Sequence, residues 1–127
     1  MPMPVKPQVY RAVIDRLVDA CQNGAGQIGA RRVREGIWHP NATTEQLPDQ
    51  HEINLLLSRM SVTDRESLAR LLVGEFEHGV FETLKVLEGS EVAPFENGYE
   101  GSAYDDFIGR LNSWGWPKEP DRSTRPA

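Results

Sequence analysis

Glu75, His78 and Glu82 stand at a spacing that suits metal chemistry within this 127-residue chain. At about 100° per residue of α-helix, positions i, i+3 and i+7 fall within about 60° of one another, so two carboxylates and an imidazole share one face. Glu-x-x-His is the half-motif that carboxylate-bridged di-metal bundles use twice. Oxygen and imidazole ligands would suit Fe, Mn or Zn. The second half-motif is missing, because His51 and Glu52 are adjacent and His39 precedes Pro40 in a loop. A closed site needs three or four converging ligands, so a further one would have to come from His51 or His39. The plainer reading is a solvated acidic face whose histidine pairs with a glutamate one turn away. No constellation for covalent catalysis is visible. Ser58, Ser61, Ser67 and Ser113 sit in no Gly-x-Ser-x-Gly elbow, and the reading leans away from an enzyme.

A second feature interleaves aromatic and acidic residues. From Phe95 to Phe107 the chain alternates Phe95, Tyr99, Tyr104 and Phe107 with Glu96, Glu100, Asp105 and Asp106, and Trp114 and Trp116 follow. Aromatic side chains give large contact area at modest entropic cost and anchor interfaces. Carboxylates around them steer a basic partner toward the surface. Glu96, Tyr99, Glu100, Asp105 and Trp116 are therefore the candidate partner-binding residues. A glycine-rich loop that threads aromatics into a core would give the same composition without any partner.

Three further matches carry less. Gly24-Ala-Gly-Gln-Ile-Gly29 reproduces G-x-G-x-x-G, with Asp49 at the distance of a ribose-binding acid. That mechanism needs a strand before the glycines. A helical pattern precedes them here, so a flexible connection between helices is expected. Asn41-Ala-Thr43 is a formal glycosylation sequon, with no secretory signal in front of it. Cys21 falls on an apolar stripe and reads as a small buried hydrophobe rather than a nucleophile.

The elements that position these residues follow from periodicity. Val9, Val13, Ile14, Leu17, Val18 and Cys21 predict a helix over 8–23, stopped in a left-handed turn at Asn23-Gly24. A short helix is expected over 31–35. Asp49 with Glu52 resembles a capping box opening a helix whose buried face holds Ile53, Leu56, Leu57 and Met60. Thr63 with Glu66 opens the longest helix, 63–88, striped by Leu68, Leu72, Phe76, Val80, Leu84 and Leu87. Gly74 and Gly79 interrupt it, each costing about 1 kcal/mol against Ala unless a neighbour packs there. Loop is expected over 90–101. Ser102 with Asp105 then starts a last helix through Tyr104, Phe107, Ile108, Leu111 and Trp114, ended by Gly115.

The resulting fold class is all-α, a compact single-domain bundle of four or five helices around a long central helix. An extended segment over 1–7 precedes the helical domain, 8–117, and a disordered, flexible tail over 118–127 follows it. No apolar run is long enough to span a bilayer. The opening residues lack a secretory signal, and one cysteine makes no intrachain disulfide, so a reducing, cytoplasmic setting is expected. The net charge of −5 is unevenly spread: residues 71–127 carry five Lys/Arg against eleven Asp/Glu. Such a surface repels a phosphate backbone and disfavours nucleic acid as a partner. Arg31, Arg32 and Arg34 depart from this, and read as a solvated face or as intrachain partners for carboxylates. A homodimer through Leu71, Leu72 and Val86 on the long helix's second face is a further expectation.

Gly74-Glu-Phe-Glu-His-Gly-Val80, the Phe95–Phe107 run and Trp114-Gly-Trp-Pro117 resemble those of a small uncharacterised bacterial family of helical proteins, across about residues 31–117. The resemblance implies an all-helical fold. It implies no activity and assigns no role to any residue, because that family has none established.

Overall fold

A computed structural model describes residues 8–118. The expected segment 1–7 and the tail beyond Lys118 lie outside the described residues. Five helices form among the described residues: α1 (Gln8–Asn23), α2 (Ala25–Glu35), α3 (Pro48–Arg59), α4 (Val62–Gly89) and α5 (Ala103–Leu111). Among the described residues there is no strand, and the one extended pairing is an isolated bridge between Gly98 and Gly101. The all-α class and the long helix are as the sequence predicts. The residues pack as two compact units, one of 19–80 and one of 8–18 with 81–118.

The 19–80 unit is built around small side chains. Ala30, Val33, Leu57 and Ala69 are buried together, and Trp38, Ile53, Met60, Leu68, Leu72 and Val73 pack against them. Gly26 and Gly29 of the glycine motif lie inside a helix, contrary to the flexible connection expected there. Gly24 is a one-residue break with φ −123°, which is not left-handed, and α2 starts at Ala25. Gln27 donates its side-chain amide to the Cys21 carbonyl at 2.8 Å, satisfying an orphan acceptor at the end of α1. A Cβ at Gly26 would stand 2.8 Å from the Cys21 backbone and 2.9 Å from the Phe76 ring. Gly29 sits against Trp38 and Leu72. These glycines serve close packing between helices. Gly36, at φ 82°, is the left-handed stop of α2, donating its N–H to the Arg32 and Val33 carbonyls.

Both predicted capping boxes here are displaced. Asp49 lies in the first turn of α3, which opens on Leu47 in a left-handed conformation followed by Pro48. At α4 the cap is Ser61, whose Oγ accepts the Asp64 N–H at 3.0 Å. Leu56 turns outward beside Leu55, leaving Leu57 as the buried residue of α3. Asn54 clamps the preceding loop. Its Oδ1 accepts the Trp38 and His39 N–H groups at 2.6 and 3.0 Å, and its Nδ2 donates to the His39 carbonyl at 2.7 Å. Arg34 grips Glu66 with two hydrogen bonds of 2.7 and 3.1 Å, and Arg70 reaches the same carboxylate at 3.3 Å. One arginine of the basic cluster thus has an intrachain carboxylate, and the Arg34 hydrogen bonds lower the Glu66 pKa.

The unit of 8–18 and 81–118 buries Tyr10, Ile14, Leu84, Ala103, Asp106 and Phe107. The expected stripe of α1 is turned inward from Val13 to Cys21, but at its head Tyr10 is wholly enclosed in place of Val9, which is 65% exposed. Helix α5 ends at Leu111, earlier than Gly115, because Asn112 caps it and Ser113 adopts φ 70°. That reversal brings Trp114 back onto α5, where its N–H bonds the Gly109 carbonyl at 2.8 Å and its side chain covers the glycine. Ser102 is the N-cap residue of α5 by backbone, yet its hydroxyl bonds Glu88 at 3.1 Å instead of closing a box with Asp105.

Candidate functional site

The acidic aromatic segment is organised from within by Asp106, on the first turn of α5 and fully buried. Its Oδ2 accepts the Tyr10 hydroxyl at 2.5 Å and the Tyr99 N–H at 2.8 Å, while Oδ1 accepts the Glu100 N–H at 2.9 Å. Burying a carboxylate is tolerable when several donors converge on it. Here they come from α1 and from the 90–101 loop. Burial, and then the hydrogen bond to Asp106, raise the Tyr10 phenol well above its ordinary pKa.

A second ring of contacts surrounds Trp116. Its indole stands 5.3 Å from both Tyr99 and Trp114 and 6.0 Å from Tyr10 by ring centroids. Its Nε1–H donates to Asp15 at 3.0 Å, and Asp15 also accepts from Arg110 at 2.7 Å. The Arg11 and Arg110 guanidiniums lie 5.0 and 5.3 Å from the indole centroid, a cation–π arrangement on both counts.

The candidate partner-binding residues therefore fall into two kinds. Glu96, Glu100 and Asp105 are exposed, whereas Tyr99 and Trp116 are half-buried and stacked on each other. Phe107 is core, and Phe95 and Tyr104 are half-buried. A concavity of about 450 Å³ adjoins the C-terminal end of α4, lined by Glu88, Glu91 and Glu96 together with Lys85, Asn97 and Tyr104. Three carboxylates against one ammonium make its local field negative.

Glu75, His78 and Glu82 all lie on α4 at exposed positions. Glu82 has Lys85 at 3.8 Å. Among the described residues, no three of His, Cys, Asp and Glu converge in a way that could hold a metal ion. His39 has its Nδ1 3.2 Å from the Asn41 N–H as an acceptor, and His51 is on α3. Cys21 is buried, as expected, and burial with the nearby Glu77 charge pushes its thiol up to about 11. Leu71 and Val86 are exposed on α4, but Leu72 packs into the 19–80 core and is not part of that outer face.

Asp106, Tyr10 and Asp15, which organise this site, are ones that sequence reasoning did not single out. Asp106 appeared as one more carboxylate, since a partner 96 positions away leaves no local pattern. The one usable signal was Tyr10 beside Val9 at the head of an amphipathic helix.

The fold and this site define an all-helical protein whose acidic, aromatic segment is tied to a buried aspartate. No helix of the described residues is long and apolar enough to cross a membrane. By sequence the chain belongs to DUF6547, a family of unknown function, over residues 3–118. The match extends well beyond the 31–117 of the resemblance and takes in α1 and α2. No curated protein and no solved structure matches the chain.

Proposed function

We propose that this protein is a non-catalytic interaction domain, of the inhibitor or immunity kind, whose carboxylate surface over 91–106 captures a basic protein. The observation that carries the reading is the tie between the Tyr99 and Glu100 amides and buried Asp106. It fixes the backbone at Tyr99 and Glu100, so the loop that carries Glu96 and Glu100 is positioned before any partner arrives. Pre-ordering of this sort lowers the entropy lost on binding. A Lys or Arg side chain entering the neighbouring acidic concavity would meet complementary charge there.

The test uses immobilised Arg/Lys-rich peptides and the full chain at several salt concentrations. Binding is expected to weaken steeply with added salt. Reversing Glu96, Glu100 and Asp105 to Lys is expected to abolish it. Reversing Glu35, Glu45 and Asp64, an equal change in net charge on the 19–80 unit, is expected to leave most of it. Equal losses from the two triple variants would reduce the effect to overall charge and overturn the reading.

A further inference from the structure

The outward face of α3 carries a pattern that matches itself. Glu52, Leu55, Leu56 and Arg59 stand at i, i+3, i+4 and i+7, so they form one stripe along the helix. All four are exposed, Leu55 and Leu56 by 45% and 47%, although both are leucines on a helix whose other side supplies Leu57 to the core. A shallow groove runs along the same face, bordered by Asp49, Glu52, Leu55, Leu56 and Arg59.

Two copies related by a two-fold axis present the same patch to each other, so such a patch must be complementary to itself. In an antiparallel pair centred between Leu55 and Leu56, each Leu55 lies opposite the partner's Leu56. Three residues outward on either side, each Glu52 then lies opposite the partner's Arg59. The apolar centre is covered and both charges are answered at its two ends, an apolar core with a polar rim. A parallel pair would set Glu52 on Glu52 and Arg59 on Arg59, which the charges oppose.

The geometry points to a homodimer formed by antiparallel pairing of α3, with Leu55 and Leu56 at its centre and Glu52–Arg59 pairs at its ends. One face of a 12-residue helix is smaller than the roughly 1,200–2,000 Å² of a standard interface. The dimer is accordingly weak and reversible, and its population depends on concentration.

Sedimentation of the full chain over a wide concentration range tests the pairing. The mean mass is expected to climb from the monomer value towards twice that value. Glu52→Arg and Arg59→Glu are each expected to return the chain to monomer, because each sets like charges against one another. Mixing the two single variants is expected to restore association, since an Arg-only face then meets a Glu-only face. The double variant carrying both changes is expected to self-associate again. Circular dichroism of every variant should match the parent, as both positions are exposed. A parent that stays monomeric throughout overturns the dimer and frees this face for a different protein. A dimer that survives the single reversals, or one that the mixture does not restore, overturns the α3 pairing.

Discussion

Cys21 and Tyr10 are both buried, and both hold their protons more tightly in the folded chain than in the open one. For a group raised in this way, the folded state is favoured fully below the unfolded pKa and loses that contribution as pH climbs through the folded value. The Cys21 window runs from 9.0 to about 11, and that of Tyr10 opens at 10.0 and extends upward. Urea midpoints measured across this range are expected to fall as pH rises from 9. In Cys21→Val the fall between pH 9 and 11 should be shallower than in the parent. The same elevation predicts a thiol that reacts with a disulfide reagent at pH 8 about a hundredfold more slowly than a free one, through its smaller thiolate fraction alone. A fast reaction in the native protein would show that Cys21 is accessible. The position of this cysteine on an apolar stripe was legible in the sequence. The enclosure of Tyr10 was not, because its carboxylate partner comes from the far end of the chain.

At the level of helices, periodicity located α1, α3 and α4 within a residue or two. Their ends were harder to read. A capping box is a pattern of four residues that recurs by chance, and at α4 Ser61-x-x-Asp64 and Thr63-x-x-Glu66 compete for one start. The backbone chooses Ser61, which an isolated string of letters cannot decide. The glycines of α2 were misread for a related reason. A glycine lowers helix propensity locally, but its missing side chain lets the Cys21 backbone and the Phe76 ring approach Gly26, and that packing outweighs the propensity cost. Adding one methyl group separates the two effects. Gly74 has no atom within 4 Å of where a Cβ would sit, so Gly74→Ala is expected to stabilise the chain by about 1 kcal/mol in chemical denaturation. Gly26→Ala is expected to destabilise it by about 1–3 kcal/mol through overpacking against backbone. Opposite signs from the same substitution would establish that α2 is a packed helix and that this stretch of α4 faces solvent.

For the molecule as a whole, periodicity was enough to give the all-α class, while the candidate site was legible only as a region. The exposed acids of that region follow from their letters; the order imposed on them by Asp106 does not. The Glu75, His78 and Glu82 arrangement is tested at this scale by melting the full chain with EDTA and with added Zn or Mn. Three exposed positions on a single helix, one of them 3.8 Å from a lysine, supply no enclosure. The melting temperature is expected to stay within about a degree in every condition, whereas a bound metal at saturating concentration would raise stability by about 2.7 kcal/mol or more. The chain's route between its two units has a consequence of its own. Residues 19–80 are contiguous, so they are all available once they clear the ribosome. Tyr10 emerges early and must wait for an aspartate made 96 residues later, a delay of roughly 5–20 s at ordinary rates of translation. During that interval the amino-terminal turn of α1 has an unanswered phenol and an uncovered apolar edge, and it is there that a nascent chain of this protein would be open to a chaperone.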